Sequence, residues 1–91
     1  MEENSEQFLT AAEVVKKLDK KPTDDELLFI YGFYKQATIG DNNTSEPVFI
    51  DFKGKKKWNA WMNNKSMTKY NAEVNYITEV NKLITKYGIK N

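Results

Sequence analysis

Thr23-Asp24-Asp25-Glu26-Leu27-Leu28-Phe29-Ile30-Tyr31-Gly32-Phe33-Tyr34-Lys35-Gln36-Ala37-Thr38-Ile39-Gly40 is the stretch on which the fold turns. Thr23 followed three residues later by Glu26 is a capping box, in which hydroxyl and carboxylate each accept from the other residue's free backbone N–H. Asp24 and Asp25 add negative charge at the positive end of the helix dipole, so these acids read as capping groups rather than as a catalytic pair. Leu27, Leu28, Ile30, Tyr31, Phe33, Tyr34 and Ile39 then spread apolar groups over more than half the circumference, and Gly40 marks the stop. A helix apolar on that much of its surface needs neighbours on both sides, so it is expected to be central.

Upstream, Phe8, Ala11, Ala12, Val15 and Leu18 recur at helical spacing and predict a short amphipathic helix over about 6–18, closed by Asp19-Lys20-Lys21-Pro22. Downstream, Gly40 to Pro47 is polar and turn-forming, and Val48-Phe49-Ile50-Asp51-Phe52 alternates weakly like a strand with no partner. That segment reads as a long loop pinned by apolar anchors. Trp58, Trp61 and Met62 indicate a third helix near 54–64, with the indoles packing into a small core. Thr68 is a candidate cap for a fourth, over 68–87, striped by Ala72, Tyr76, Val80, Leu83 and Tyr87 and closed by Gly88. The expectation is one all-α four-helix domain spanning residues 1–91.

The 91 residues contain no Cys and no His, and all 14 basic residues are lysine. Catalytic triads and thiolate chemistry are therefore excluded, and the commonest metal ligands are missing. No metal site is expected. The start, Met1-Glu2-Glu3-Asn4-Ser5-Glu6, is acidic where a secretory leader is basic, and the longest uncharged apolar run, Leu27 to Tyr34, is too short to span a bilayer. A cytoplasmic domain is expected. A net charge of +1 argues against general nucleic-acid binding, which needs a basic stripe.

Lysines, carboxylates, hydroxyls and aromatic faces suit binding better than catalysis. Tyr31, Tyr34, Lys35 and Thr38 share one helical face, which offers two phenols, an ammonium and a hydroxyl. Phenols stack on flat rings and ammonium groups hold phosphate, so this face suits a phosphorylated aromatic ligand. The same spacing also fits tyrosines packed in a core beside a solvated lysine. Lys53 and Lys57, one turn apart, are either a solvated face or part of a site beside the long loop.

Tyr34-Lys35-Gln36-Ala37-Thr38-Ile39-Gly40-Asp41 and Asp51-Phe52-Lys53-Gly54-Lys55-Lys56-Lys57-Trp58-Asn59-Ala60-Trp61 resemble the acyl-CoA-binding protein family, also called diazepam-binding inhibitor. The likeness runs without a gap from Phe8 to Lys86-Tyr87-Gly88-Ile89. It implies a four-helix up-down-down-up bundle that binds medium- to long-chain fatty acyl-CoA one to one, without catalysis and without a cofactor beyond that ligand. Ligand contacts would fall on Lys16, Tyr31, Tyr34, Lys35, Lys53, Lys57 and Tyr76. Tyr34 would stack on adenine, and Tyr31, Lys35 and Lys57 would hold the ribose 3′-phosphate. Tyr76 would contribute from the last helix, with Lys16 and Lys53 as secondary charges. Ala12, Leu27 and Leu28 would line the acyl groove.

The implied role is an intracellular carrier and buffer: a monomer, not stably inserted in membranes, that meets acyl-CoA-using enzymes transiently. The alternative is a protein-interaction or signalling module on the same fold. Three departures from the family pattern stand out. Gly32 lies inside a helix, where it costs about 1 kcal/mol against Ala unless a neighbour comes close. Val48-Phe49-Ile50 replaces a glycine-containing loop, and Lys65-Ser66-Met67-Thr68 lacks the usual glycine before the last helix.

Overall fold

The computed structural model of the chain describes residues 4–90. Helix α1 runs Glu6–Val14, α2 Asp24–Thr38, α3 Phe52–Met62 and α4 Lys69–Tyr87. Helix α4 packs against α1 on one side and α2 on the other, and α2 packs in turn on α3. The 15 residues of α2 rise about 22 Å, and the 13 residues of 39–51 are long enough to retrace that length, so that α3 can run parallel to α2. This is the up-down-down-up all-α bundle, with no extended strand among the described residues.

The caps are where local chemistry places them. Thr23 Oγ1 accepts from Glu26 N–H at 3.1 Å while Glu26 Oε1 accepts from Thr23 N–H at 2.8 Å, completing the capping box. Thr68 Oγ1 accepts from Asn71 N–H, and Gly88, at φ 76°, ends α4 in a conformation that side chains resist. The boundaries of two helices, α1 and α3, differ from the sequence reading by more than one residue. The first helix leaves α geometry at Val14 and tightens into a 3-10 turn over Val15–Lys17. Beyond it the backbone of Leu18 is extended and forms an isolated bridge to Ile89, with Asp19 N–H donating to Gly88 O and Lys90 N–H to Lys17 O. A bond to the far terminus thus replaces the last helical turn. Helix α3 starts two residues early, because Asp51 caps it by accepting from Gly54 N–H at 2.9 Å.

The core gathers Phe8, Ala11, Ile30, Phe33, Ala37, Ala72, Tyr76, Val80 and Leu83 between α1, α2 and α4. Polar ties lock the ends. Asn4 Nδ2 donates to Ala37 O and to Glu73 Oε2, fastening the start of α1 to both neighbours. Glu26 also accepts from Lys86 Nζ at 2.9 Å and from the Tyr87 hydroxyl. These bonds, Tyr87 foremost, then Thr23 N–H and Lys86, hold its pKa down at about 2.

The long loop overturns one expectation: its anchors are polar. Trp61 Nε1 donates to Gly40 O at 2.7 Å and Trp58 Nε1 to Thr44 O at 3.1 Å. Buried Asn42 donates to Trp58 O and accepts from Thr44. Asp41 accepts from Gln36 Nε2 and Ser66 N–H, both at 2.8 Å, which lowers its pKa. Val48, Phe49 and Ile50, expected to pin the loop, are instead exposed. Loop backbone groups near a helix need hydrogen-bond partners, and the two indoles of α3 supply donors at the required height.

Gly32 lies where α2 crosses α3. A Cβ there would fall 2.9 Å from the carbonyl carbon of Ala60 and 2.9 Å from Asn64 Nδ2, with Ala60 O closer still. The neighbour that would justify a mid-helix glycine is the α3 backbone.

Candidate functional site

Helix α2 positions the site, because its 3.6-residue period brings Tyr31, Tyr34 and Lys35 to one face while the capping box holds its register. Tyr34 lies at the junction with α1 and α4. Its ring stacks against Phe8 at 5.6 Å with an interplanar angle of 22°, and lies 5.8 Å from the ring of Tyr76. Phe8 and Tyr76 are themselves 5.0 Å apart, so three rings from three helices form one cluster. Phe8 and Tyr76 are buried, whereas Tyr34 keeps 40 % of its surface open. The result is a supported aromatic platform with room for another flat ring.

Beside the platform, two lysines rest on aromatic faces. Lys57 Nζ of α3 sits 5.5 Å from the centre of the Tyr31 ring, and Lys35 Nζ of α2 sits 4.7 Å from that of Trp61. Such contacts are worth about 0.5–1 kcal/mol at exposed sites, enough to orient an ammonium but not to commit it. Burial, with Tyr34 adjacent, pushes the Tyr76 phenol up to about 12, so Tyr76 stays neutral at physiological pH.

Of the seven expected contact residues, Tyr34 meets Tyr76 in the ring cluster and Tyr31 meets Lys57 in a cation–π contact, while Lys35 shares the α2 face and rests on Trp61. Tyr76, at 3 % exposure, stands behind Tyr34 rather than at the surface. Lys16 and Lys53 are exposed, and no ion pair or ring contact among the described residues joins them to the cluster. Lys16 lies 3.6 Å from Glu13. The three expected groove residues separate. Ala12 and Leu27 pack against the core, whereas Leu28 lines an open cleft of about 370 Å³ between α2 and α3, with Phe29, Lys56 and Ala60.

Sequence reading missed two contributors. Phe8 was legible as a core residue, but no local signal shows that it backs Tyr34. Trp61 was read as core, and it is buried, yet its ring also seats Lys35. No group of three or more His, Cys, Asp or Glu among the described residues is placed to hold a metal. The arrangement offers stacking and mobile positive charge, while the partly apolar cleft at Leu28 is lined by other residues of α2 and α3.

Comparison with known proteins identifies the family and the fold. The family described as acyl CoA binding protein matches residues 5–80. An acyl-CoA-binding protein homolog of Drosophila melanogaster is 51 % identical over 84 residues, covering 92 % of this chain and 98 % of that protein. Among solved structures, acyl-CoA-binding protein 2 of Oryza sativa is similar with a TM-score of 0.85 and 36 % identity, over 89 % of this chain and 88 % of that one. The solution structure of acyl coenzyme A binding protein from yeast is similar with a TM-score of 0.74 and 44 % identity, over 93 % and 99 %.

Proposed function

The chain belongs to the acyl-CoA-binding protein family, and from that premise we propose that it binds medium- to long-chain fatty acyl-CoA one to one as an intracellular carrier and buffer. The observation that carries this reading is the half-open Tyr34 ring on the same α2 face as Lys35 and Tyr31, with Lys35 parked on Trp61 and Lys57 on Tyr31. Adenine stacks on Tyr34, while Tyr31, Lys35 and Lys57 take the ribose 3′-phosphate. A charge-assisted hydrogen bond is worth about 1.5–3 kcal/mol, more than the cation–π contact it replaces, so phosphate draws both lysines off their rings.

Tyr76 acts from behind, by holding Tyr34 in plane, and Lys16 and Lys53 add longer-range positive charge. The acyl tail follows the α2–α3 cleft past Leu28, where each buried CH₂ contributes roughly 0.8 kcal/mol, so affinity rises with chain length until the cleft is full. The role is binding without catalysis, since a chain lacking His and Cys has no ordinary nucleophile–base pair to turn on a thioester. No described helix is long and apolar enough to cross a membrane. We place the carrier in the cytoplasm as a monomer that meets acyl-CoA-using enzymes transiently.

Calorimetric titration with palmitoyl-CoA, with free CoA and palmitate in parallel, tests the proposal. One-to-one binding of the thioester far tighter than either half is expected. Lys35→Ala or Lys57→Ala should weaken it by roughly 10- to 150-fold, the equivalent of about 1.5–3 kcal/mol. Equal, weak or absent heats for all three ligands would refute the carrier role and leave the fold as an interaction module.

A further inference from the structure

Val48, Phe49, Ile50 and Phe52 have no structural reason to be apolar. Asp51 N–H donates to Val48 O at 2.9 Å, closing a β-turn whose two central residues are Phe49 and Ile50. Turn centres ordinarily carry Gly, Pro, Asn, Asp or Ser. Here they carry two bulky hydrocarbons, and all four side chains are 68–78 % exposed. The other exposed apolar side chains, such as Leu9, Ile39 and Val74, lie singly or in pairs on helix flanks, as is normal for a protein surface. A projecting tip of four in five successive residues is different in kind.

The charge around the tip selects what covers it. Between residues 46 and 57 four lysines face two carboxylates. Glu46 is paired with Lys55 at 3.2 Å, and Asp51 is engaged in capping α3. The exposed residues Lys53, Lys56 and Lys57 follow directly on the tip, Lys57 with its ammonium over Tyr31. A second copy of the chain would bring these like charges together, whereas an anionic lipid surface accepts the hydrocarbon below its headgroups and the lysines at them. From the turn geometry and this charge pattern, we propose that residues 48–52, with the lysines of α3, dock this protein peripherally on anionic bilayers.

Docking in this pose sets α3 against the lipid headgroups, and α3 carries Lys57 of the site. The consequence, that a thioester passes between bilayer and site without crossing open water, rests on the acyl-CoA reading; the docking itself does not. The test therefore uses the ligand-free protein, by flotation with phosphatidylcholine vesicles with and without phosphatidylserine. Binding should appear only with phosphatidylserine and weaken as salt rises. The double variant Phe49→Ser/Ile50→Ser should lose it by tenfold or more, since each bulky side chain withdrawn from hydrocarbon is worth about that factor. It should keep the wild-type melting curve and palmitoyl-CoA titration.

Equal flotation of variant and wild type, or none with phosphatidylserine, overturns the proposal. So does a wild-type dimer that the double variant dissolves, which would make the tip a self-association surface. A double variant that loses palmitoyl-CoA affinity as steeply as vesicle binding would assign the tip to the ligand site and overturn it too. Failure of wild-type palmitoyl-CoA binding with flotation intact would sink the carrier reading alone.

Discussion

Replacing Gly32 by Ala sets two physical effects of opposite sign against each other. In an isolated helix the change is favourable by about 1 kcal/mol, because Gly loses more backbone freedom on folding. In this bundle the new methyl would stand 2.9 Å from the Ala60 carbonyl carbon and from Asn64 Nδ2, whereas ordinary contacts of a Cβ begin at 3.4 Å. Asn64 can rotate away, but the Ala60 carbonyl is helix backbone and moves only with α3. The helices must separate by at least about half an ångström, which forfeits roughly a quarter of the dispersion contact along their seam. Overpacking of this kind costs about 1–3 kcal/mol, so after the propensity gain the net expectation is a loss of up to about 2 kcal/mol. For a domain of this size that lowers the melting temperature by up to about 16 °C.

The same displacement carries Lys57 from Tyr31 and Trp61 from Lys35, so palmitoyl-CoA affinity should fall even where the variant is fully folded. Urea denaturation followed by tryptophan fluorescence measures the first effect and calorimetry the second. A Gly32→Ala protein more stable than wild type would refute the close-approach argument, because propensity would then have outweighed packing.

Three further outcomes follow from single contacts. Ser66 adopts φ 75°, a left-handed conformation that costs a residue with a Cβ roughly 1 kcal/mol, so Ser66→Gly should raise stability by up to about that amount in urea denaturation. Phe8 is fully buried behind Tyr34, and Phe8→Leu should cost about 1.5 kcal/mol of stability. It should also weaken palmitoyl-CoA binding at temperatures where the variant is folded, because the stacking platform has lost its back. Glu26 has its pKa lowered from the ordinary 4.5 to about 2, so its stabilising bonds are complete above pH 4.5 and are lost as pH falls towards about 2. Stability of wild type against Glu26→Gln, followed by circular dichroism, should differ most at neutral pH and converge across that window; a gap that widened on acidification would contradict the assignment.

The legible parts of this protein are those governed by residues close in sequence. Thr23 with Glu26, Thr68 with the start of α4, and Gly88 after its end all lie within one turn of what they cap, so their chemistry can be read directly. The α2 face was legible for the same reason, since helical period alone brings Tyr31, Tyr34 and Lys35 together. The early end of α1 was not, because the extended Leu18 answers to Ile89 at the other end of the chain. Nor was the loop: hydrophobic pattern suggested that Val48, Phe49 and Ile50 turn inward, while the anchors are indole N–H groups whose height above the loop depends on how α3 packs.

The sequence by itself determined the number of helices, the limits of α2 and α4 to within a residue, the set of chemical groups available, and which residues share one face of α2. It did so because capping and periodicity act through neighbouring residues. Only the tertiary structure decided that Phe8 and Tyr76 back the Tyr34 ring, that Lys35 rests on Trp61 and Lys57 on Tyr31, and that Gly32 admits the α3 backbone. Each of these pairs joins separate helices, and helical periodicity states which face of a helix is apolar without stating which other helix will cover it.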